Sequence, residues 1–546
     1  MAKNTQAEIH KIITLLKTGK SDIALKKAIA GAKKHPANPI FPQMAGAALV
    51  ARKKPGAAAP HFHKSYKIKP DHEEFQDNLA RSLISSGQIE SADALLTRHA
   101  EARNNSATYH NLWALRHLHE KYFQKSADAA SVALQLQAGQ QEALLLRAKA
   151  FTDLLQSDRA LLDFEAVLSQ NPTHVEAMEG RASALASLGK VEEAKRQYFD
   201  LLELDQTHVL ALQVLSGLPG LSEQELLDLS EYLRHAEKEL TKKKDERTHK
   251  LGFARYELAM RQGDDAKAMH HLAEAKAHAA RHSPFDDAAS EAKCRSILAM
   301  ADLPCASDPD YAMPRPIFVV GLPRSGTTLL EMIISAHSAV QGCGEMTAVG
   351  GWANRNPNLN SADGLSRTYR SQLPQMQEGI VGFVDKMPAN FRYLGYISAA
   401  FPESVIINVN RDPRDVALSM WRKNFGSIEM NYTNDQRHMA AEANRYRKYV
   451  NYWISQLGEE RVYSVVYEDL VGDLARQVPK IAEACGLEWD SAMLKPEANT
   501  GAVKTASRFQ VRQAVHTGSV KAWERSAKDL QVFCDHLDPD LWAHYL

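Results

Sequence analysis

Small, apolar and turn-forming positions in the first two fifths of the chain return with a fixed period of 34 residues. One phase holds Gly19, Lys53, Gly87, Lys121, Leu155 and Gly189, where a helix-to-helix turn would fall. Five residues on come Ala24, Ala58, Ala92, Ser126, Ala160 and Ala194, the small side chains that two closely crossing helices demand. A third phase holds Pro36, Pro70, Asn104, Ala138, Pro172 and Gln206, turn formers that end the second helix of each unit. A fourth holds Gly46, Ala80, Ala114, Ala148 and Ala182, with the first unit departing at Ile12. The pattern predicts six helical hairpins over residues 5–210, each burying its apolar face only against its neighbours, in a superhelix with a concave surface.

Residues 211–303 read as an irregular helical extension, with charged helices first and then one more repeat-like unit in which Gly263 and Ala268 restore the five-residue spacing. A Pro-rich stretch, 304–316, reads as a linker. Beyond it the texture changes. Short apolar runs at Ile317–Val320 and Val405–Val409, a run ending at Lys386 and another ending at Tyr467 have the character of buried parallel strands, while the segment from Thr328 to Ser335 carries a helical pattern. Residues 317–546 are therefore expected to form an α/β domain with a central parallel sheet and helices on both faces.

The regular first part resembles the tetratricopeptide repeat. A peptide or protein groove is one use of such a surface; a spacer, or an oligomerisation arm making a homodimer, is the other. Composition narrows the rest. With 66 Lys plus Arg against 66 Asp plus Glu, no global field draws the 546-residue chain onto nucleic acid, so an anion site must be local. The five cysteines are scattered without a CxxC pair, which supports neither a disulfide scaffold nor a zinc ribbon. No stretch reaches the roughly 18 apolar residues of a membrane span. The first twenty residues lack the apolar core of a secretory signal, and a cytoplasmic protein is the expectation.

The candidate chemistry lies in two motifs. GLPRSGTT joins a predicted strand to a predicted helix with glycines at Gly321 and Gly326, a turn that aims backbone N–H groups and a helix dipole at one phosphate. Thr327 stands where a nucleoside triphosphatase needs its lysine, so a triphosphate and its metal would be poorly served. In the second motif a strand runs into Arg411, and Ser419 follows eight residues later on the next helix, a gap that lets a guanidinium and a hydroxyl converge on one anion.

Together these residues resemble the sulfotransferase family, and the form PRSGTTLL is most similar to its tyrosylprotein sulfotransferase branch. The resemblance covers about residues 314–530. It implies a P-loop-like domain whose donor is 3′-phosphoadenosine 5′-phosphosulfate, with Arg411 and Ser419 on the 3′ phosphate and Arg324, Ser325, Gly326, Thr327, Thr328 and Leu329 around the 5′ phosphosulfate. It implies Glu345 as the base that takes the proton of a hydroxyl acceptor (peptide tyrosine, saccharide or small molecule). Lys386 and Arg324 are the cations on the transferring group, and no metal takes part. A helix-capping carboxylate is the ordinary reading of Glu345, and a packed aromatic that of Tyr467, which the resemblance places near the nucleotide. Ser507, Arg512 and Lys521 would be polar contacts of a C-terminal segment closing over the donor, although this segment departs from the cytosolic pattern. A P-loop kinase and a non-catalytic repeat scaffold are the alternatives.

Overall fold

The turn phase of the repeat is left-handed in all six units, with φ of 73° at Gly19, 57° at Lys53, 74° at Gly87, 61° at Lys121, 60° at Leu155 and 79° at Gly189. The computed structural model describes residues 2–243, 245–300, 302–309, 314–356, 359–499 and 514–546. Ala24, Ala58, Ala92, Ser126, Ala160 and Ala194, at the small-residue phase, are all completely buried. The reason is steric: at Gly46, in the other small phase, the Phe62 ring lies where a Cβ would be. Ile12, the one departure, is buried too. Helices such as Ser21–Lys34, Ile40–Ala51, Pro55–Ile68 and Glu73–Ser85 alternate with these turns.

Two compact units divide the chain, Met1–Phe151 with Leu162–Gln170, and Thr152–Leu161 with Asn171–Leu546. They part within the helical array and not at the Pro-rich stretch. Within the second unit the helical extension is fastened to the α/β core. It opens with one long helix, Glu223–Lys242, started by a Ser222–Glu225 capping box. A hairpin of helices Leu251–Arg261 and Asp265–His282 follows, turned at Gly263 (φ 73°) and packed through buried Ala268. From this hairpin Lys276, fully buried, donates from Nζ to the carbonyls of Lys423 and Thr433, each 2.9 Å away. Burial pulls its pKa down to about 7. Arg445 likewise bonds Asp287, of the next helix, at 2.6 Å. Residues before the sheet are tied down as well, with the Cys305 carbonyl accepting from Ala362 N–H at 2.7 Å.

The sheet contains β1 (Arg315–Gly321), β2 (Val340–Gly342), β3 (Gly382–Asp385), β4 (Val405–Asn410) and β5 (Val462–Val466). All are parallel, in the order β2-β3-β1-β4-β5. Alternation along β1 sends Ile317 and Val319 into one core cluster, with Ile333 and Val409, and Phe318 and Val320 into another, with Tyr446 and Trp453. Both faces are therefore covered, which is why the strands read as unbroken apolar runs. From β1 the chain goes to one side for β2 and β3 and returns to the other for β4. The crevice outside the carboxyl ends of β1 and β4 is thus the switch point where open parallel sheets bind ligands. Among the described residues no helix is long and apolar enough to cross a membrane.

Candidate functional site

Both motifs reach this switch point. The turn after β1 carries φ of 154° at Gly321, 72° at Arg324 and 109° at Gly326, which is the N-cap of the helix Thr327–Ile334. Gly326 has a second reason to lack a side chain, because a Cβ there would run into the Tyr467 ring. For Arg324 a left-handed backbone costs about 1–2 kcal/mol. Two bonds offset that strain: its carbonyl accepts from Arg411 Nη1 at 3.0 Å, and its Nε donates to Ser419 Oγ at 2.9 Å. Burial, and next the nearby charge of Arg411, bring the Arg324 guanidinium down to about 10, still charged at neutral pH. Ser325, expected at the phosphate, is buried and does not line the cavity described below, and its Oγ has no hydrogen-bond partner among the described residues.

Arg411 follows the end of β4, and Ser419 lies on the helix Pro413–Trp421. Arg411 stacks over the Tyr467 ring at 4.2 Å and donates from Nη2 to the Ser519 carbonyl at 2.7 Å, while its buried Nε has no partner among the described residues. The Tyr467 and Ser519 hydroxyls are 2.9 Å apart. Asp415 accepts from the backbone N–H groups of Lys521 (2.8 Å) and Trp523 (2.9 Å), fastening the C-terminal segment over the same place, and burial raises its pKa. These groups enclose a cavity of about 450 Å³ lined by Gly326, Thr327, Thr328, Leu329, Arg411 and Ser419, with Arg324 and Tyr467. Among the described residues positive charge outweighs negative on its wall, where Arg324, Arg411, Arg422 and Lys423 stand with Asp415 and Glu257. An oxyanion with phosphate-like geometry fits such a wall.

The other expected residues lie elsewhere. Glu345 and Lys386 are paired with each other, Nζ to Oε1 2.5 Å, off the cavity wall at the end of β3. Lys386 is 1% exposed and Glu345 43%. Glu331 joins them to the helix Thr327–Ile334, accepting from Gly344 N–H at 2.9 Å with Lys386 Nζ 3.9 Å away, and burial pushes its carboxyl up. Beside Lys386, burial raises Asp385 to about 7, and Tyr369 donates to it at 2.9 Å. Lys521 touches the site only through its backbone; its side chain is exposed, and Ser519 and Ala522 line the wall instead. Ser507 and Arg512 lie outside the described residues. Arg422, the C-cap of the helix that carries Ser419, and Lys423 just beyond it also line the cavity and were absent from the sequence-based set. Nothing in the local sequence marks Tyr256 and Glu257, which reach the cavity from the helical extension.

Known proteins sort along the same division. Residues 316–491 match the sulfotransferase family and residues 49–115 the tetratricopeptide repeat. An uncharacterized protein of Aquifex aeolicus (strain VF5) is 31% identical over 238 residues, 40% of this chain and 31% of that one. Protein-tyrosine sulfotransferase A of Caenorhabditis elegans is 28% identical over 218 residues, 36% of this chain and 56% of that one. The matches thus span less than two thirds of either relative's length. Among solved structures, the sulfotransferase domain of the Synechococcus PCC 7002 olefin synthase aligns over 42% of this chain and 97% of its own, at 19% identity and a TM-score of 0.31.

Proposed function

Since the chain carries a sulfotransferase-family domain behind tetratricopeptide repeats, we propose that it transfers a sulfuryl group from 3′-phosphoadenosine 5′-phosphosulfate to a hydroxyl acceptor. One observation carries this reading: the glycine turn of Gly326 and the Arg411–Ser419 pair open into a single cavity, joined by the bond from Arg324 to Ser419. Two anion sites on one cavity suit a nucleotide phosphorylated at both ends of its ribose.

In this reading the backbone N–H groups at the start of the helix Thr327–Ile334 hold the 5′ end, with the helix dipole adding to them. Arg411 and Ser419 hold the 3′ phosphate, each charge-assisted bond worth about 1.5–3 kcal/mol. The buried Nε of Arg411, for which the described residues offer no hydrogen-bond partner, is a polar atom that fits an anionic ligand. Lys386 supplies a cation to the leaving oxygen, and Glu345, oriented by that ammonium, takes the acceptor proton. Thr327 in place of a lysine is why the reading includes no metal-bound triphosphate. The repeats, residues 5–210, would present a peptide or protein to the domain of residues 317–546.

Incubation of the full chain with sulfur-labelled donor and a panel of tyrosine peptides, saccharides and phenols tests the proposal. Transfer of label to one class, with release of adenosine 3′,5′-bisphosphate, is expected. Label retained on the donor with every acceptor, alongside turnover of ATP, would favour the kinase reading.

A further inference from the structure

One wall of the cavity comes from outside the segment that matches the sulfotransferase family. The helix Leu251–Arg261 precedes residue 316, yet Tyr256 and Glu257 line the cavity with Arg324, Arg411 and Ser419. Tyr256 is 4% exposed, and no hydrogen bond ties its hydroxyl elsewhere among the described residues.

Its place is fixed by two attachments that end on the same residue. Glu257, its neighbour, pairs with Lys423 Nζ at 3.0 Å. Lys276, from the second helix of the hairpin, donates to the Lys423 carbonyl at 2.9 Å and sits between the Phe253 and Trp421 rings, 5.5 Å from each. Both hold the hairpin against the end of the helix that carries Ser419. Undocking the hairpin that carries Tyr256 would therefore expose a buried lysine. Burial also lifts the Tyr256 phenol above its ordinary value, with the nearby Arg422 charge drawing it partly back, so the hydroxyl stays protonated and able to donate. A neutral O–H donor beside guanidinium groups recognises an oxyanion.

We infer that Tyr256 is a nucleotide-binding residue whose hydroxyl donates to the 3′-phosphate end of the donor, so that the last helical hairpin completes the donor site. The inference rests on the reading of this cavity as the donor site.

Calorimetric titration of the full chain separates the two claims, using Tyr256→Phe, which keeps the ring and its packing, beside Arg411→Ala. The probes are adenosine 3′,5′-bisphosphate and adenosine 5′-phosphate. Tyr256→Phe is expected to weaken the bisphosphate about tenfold, the loss of one hydrogen bond to a charged group, and to leave the 5′-phosphate within twofold, with an unchanged melting temperature of the ligand-free protein. Bisphosphate affinity unchanged in Tyr256→Phe but reduced in Arg411→Ala would overturn the inference alone. Equal losses for both nucleotides in Tyr256→Phe would also overturn it. No bisphosphate binding by the unaltered chain would overturn the reading of the cavity itself.

Discussion

Arg324 and Ser419, 95 residues apart in sequence, are joined by a 2.9 Å hydrogen bond from the guanidinium Nε to the hydroxyl. The bond ties the glycine turn after β1 to the helix after β4, so the two motifs form one wall of a single cavity. Ser419→Ala removes both a ligand group and the partner of a buried guanidinium. Adenosine 3′,5′-bisphosphate affinity should fall about tenfold or more, read by calorimetry, while an affinity within twofold of the parent would detach Ser419 from the site.

Glu345 offers a second test. If it takes the acceptor proton, Glu345→Gln keeps its shape and should slow transfer about 10²- to 10⁴-fold. Donor affinity should hold within a few fold, because in this reading Glu345 acts on the acceptor proton and not on the donor phosphates. Single-turnover transfer with saturating donor measures the step, and a rate within threefold of the parent would assign the base elsewhere.

Asp385 gives a pH dependence with a definite sign. Burial holds it at about 7 in the fold, against about 4 for an ordinary aspartate. Folding therefore takes up a proton between those values, and the contribution is full below about pH 4 and lost as pH rises through 7. Asp385→Asn lacks that dependence. Denaturant unfolding at pH 5 and pH 8 should show the parent losing on the order of 3 kcal/mol relative to the variant as pH rises. A difference that stays level would mean the carboxylate is already ionised at pH 5.

Much of this was legible in the sequence, because the informative positions are those where backbone geometry restricts the residue. The period of 34 picks out the left-handed turns and the buried small residues together, even where Lys53, Lys121 and Leu155 replace glycine. Arg411 and Ser419 were legible because a strand end and a helix face fix their directions. Lys521 misled for the same reason in reverse: its segment crosses the cavity, but a left-handed backbone (φ 57°) turns its N–H, not its side chain, to Asp415. Tyr256 was invisible because a long-range docking, through Lys276 and Glu257, brings it to the site. That docking also means that the stretch 304–316 does not mark off a self-contained catalytic piece, since one starting near residue 300 would lack a cavity wall.

A cavity that reads both sides of a ribose should favour a nucleotide phosphorylated on each of them. Calorimetry of the full chain with adenosine 3′,5′-bisphosphate, adenosine 5′-phosphate and magnesium ATP tests it most directly, repeated on Arg411→Ala. The bisphosphate should bind about 10- to 150-fold more tightly than the 5′-phosphate, and Arg411→Ala should remove most of that margin. Equal affinity for the two adenosine phosphates, or tighter binding of magnesium ATP, would contradict it.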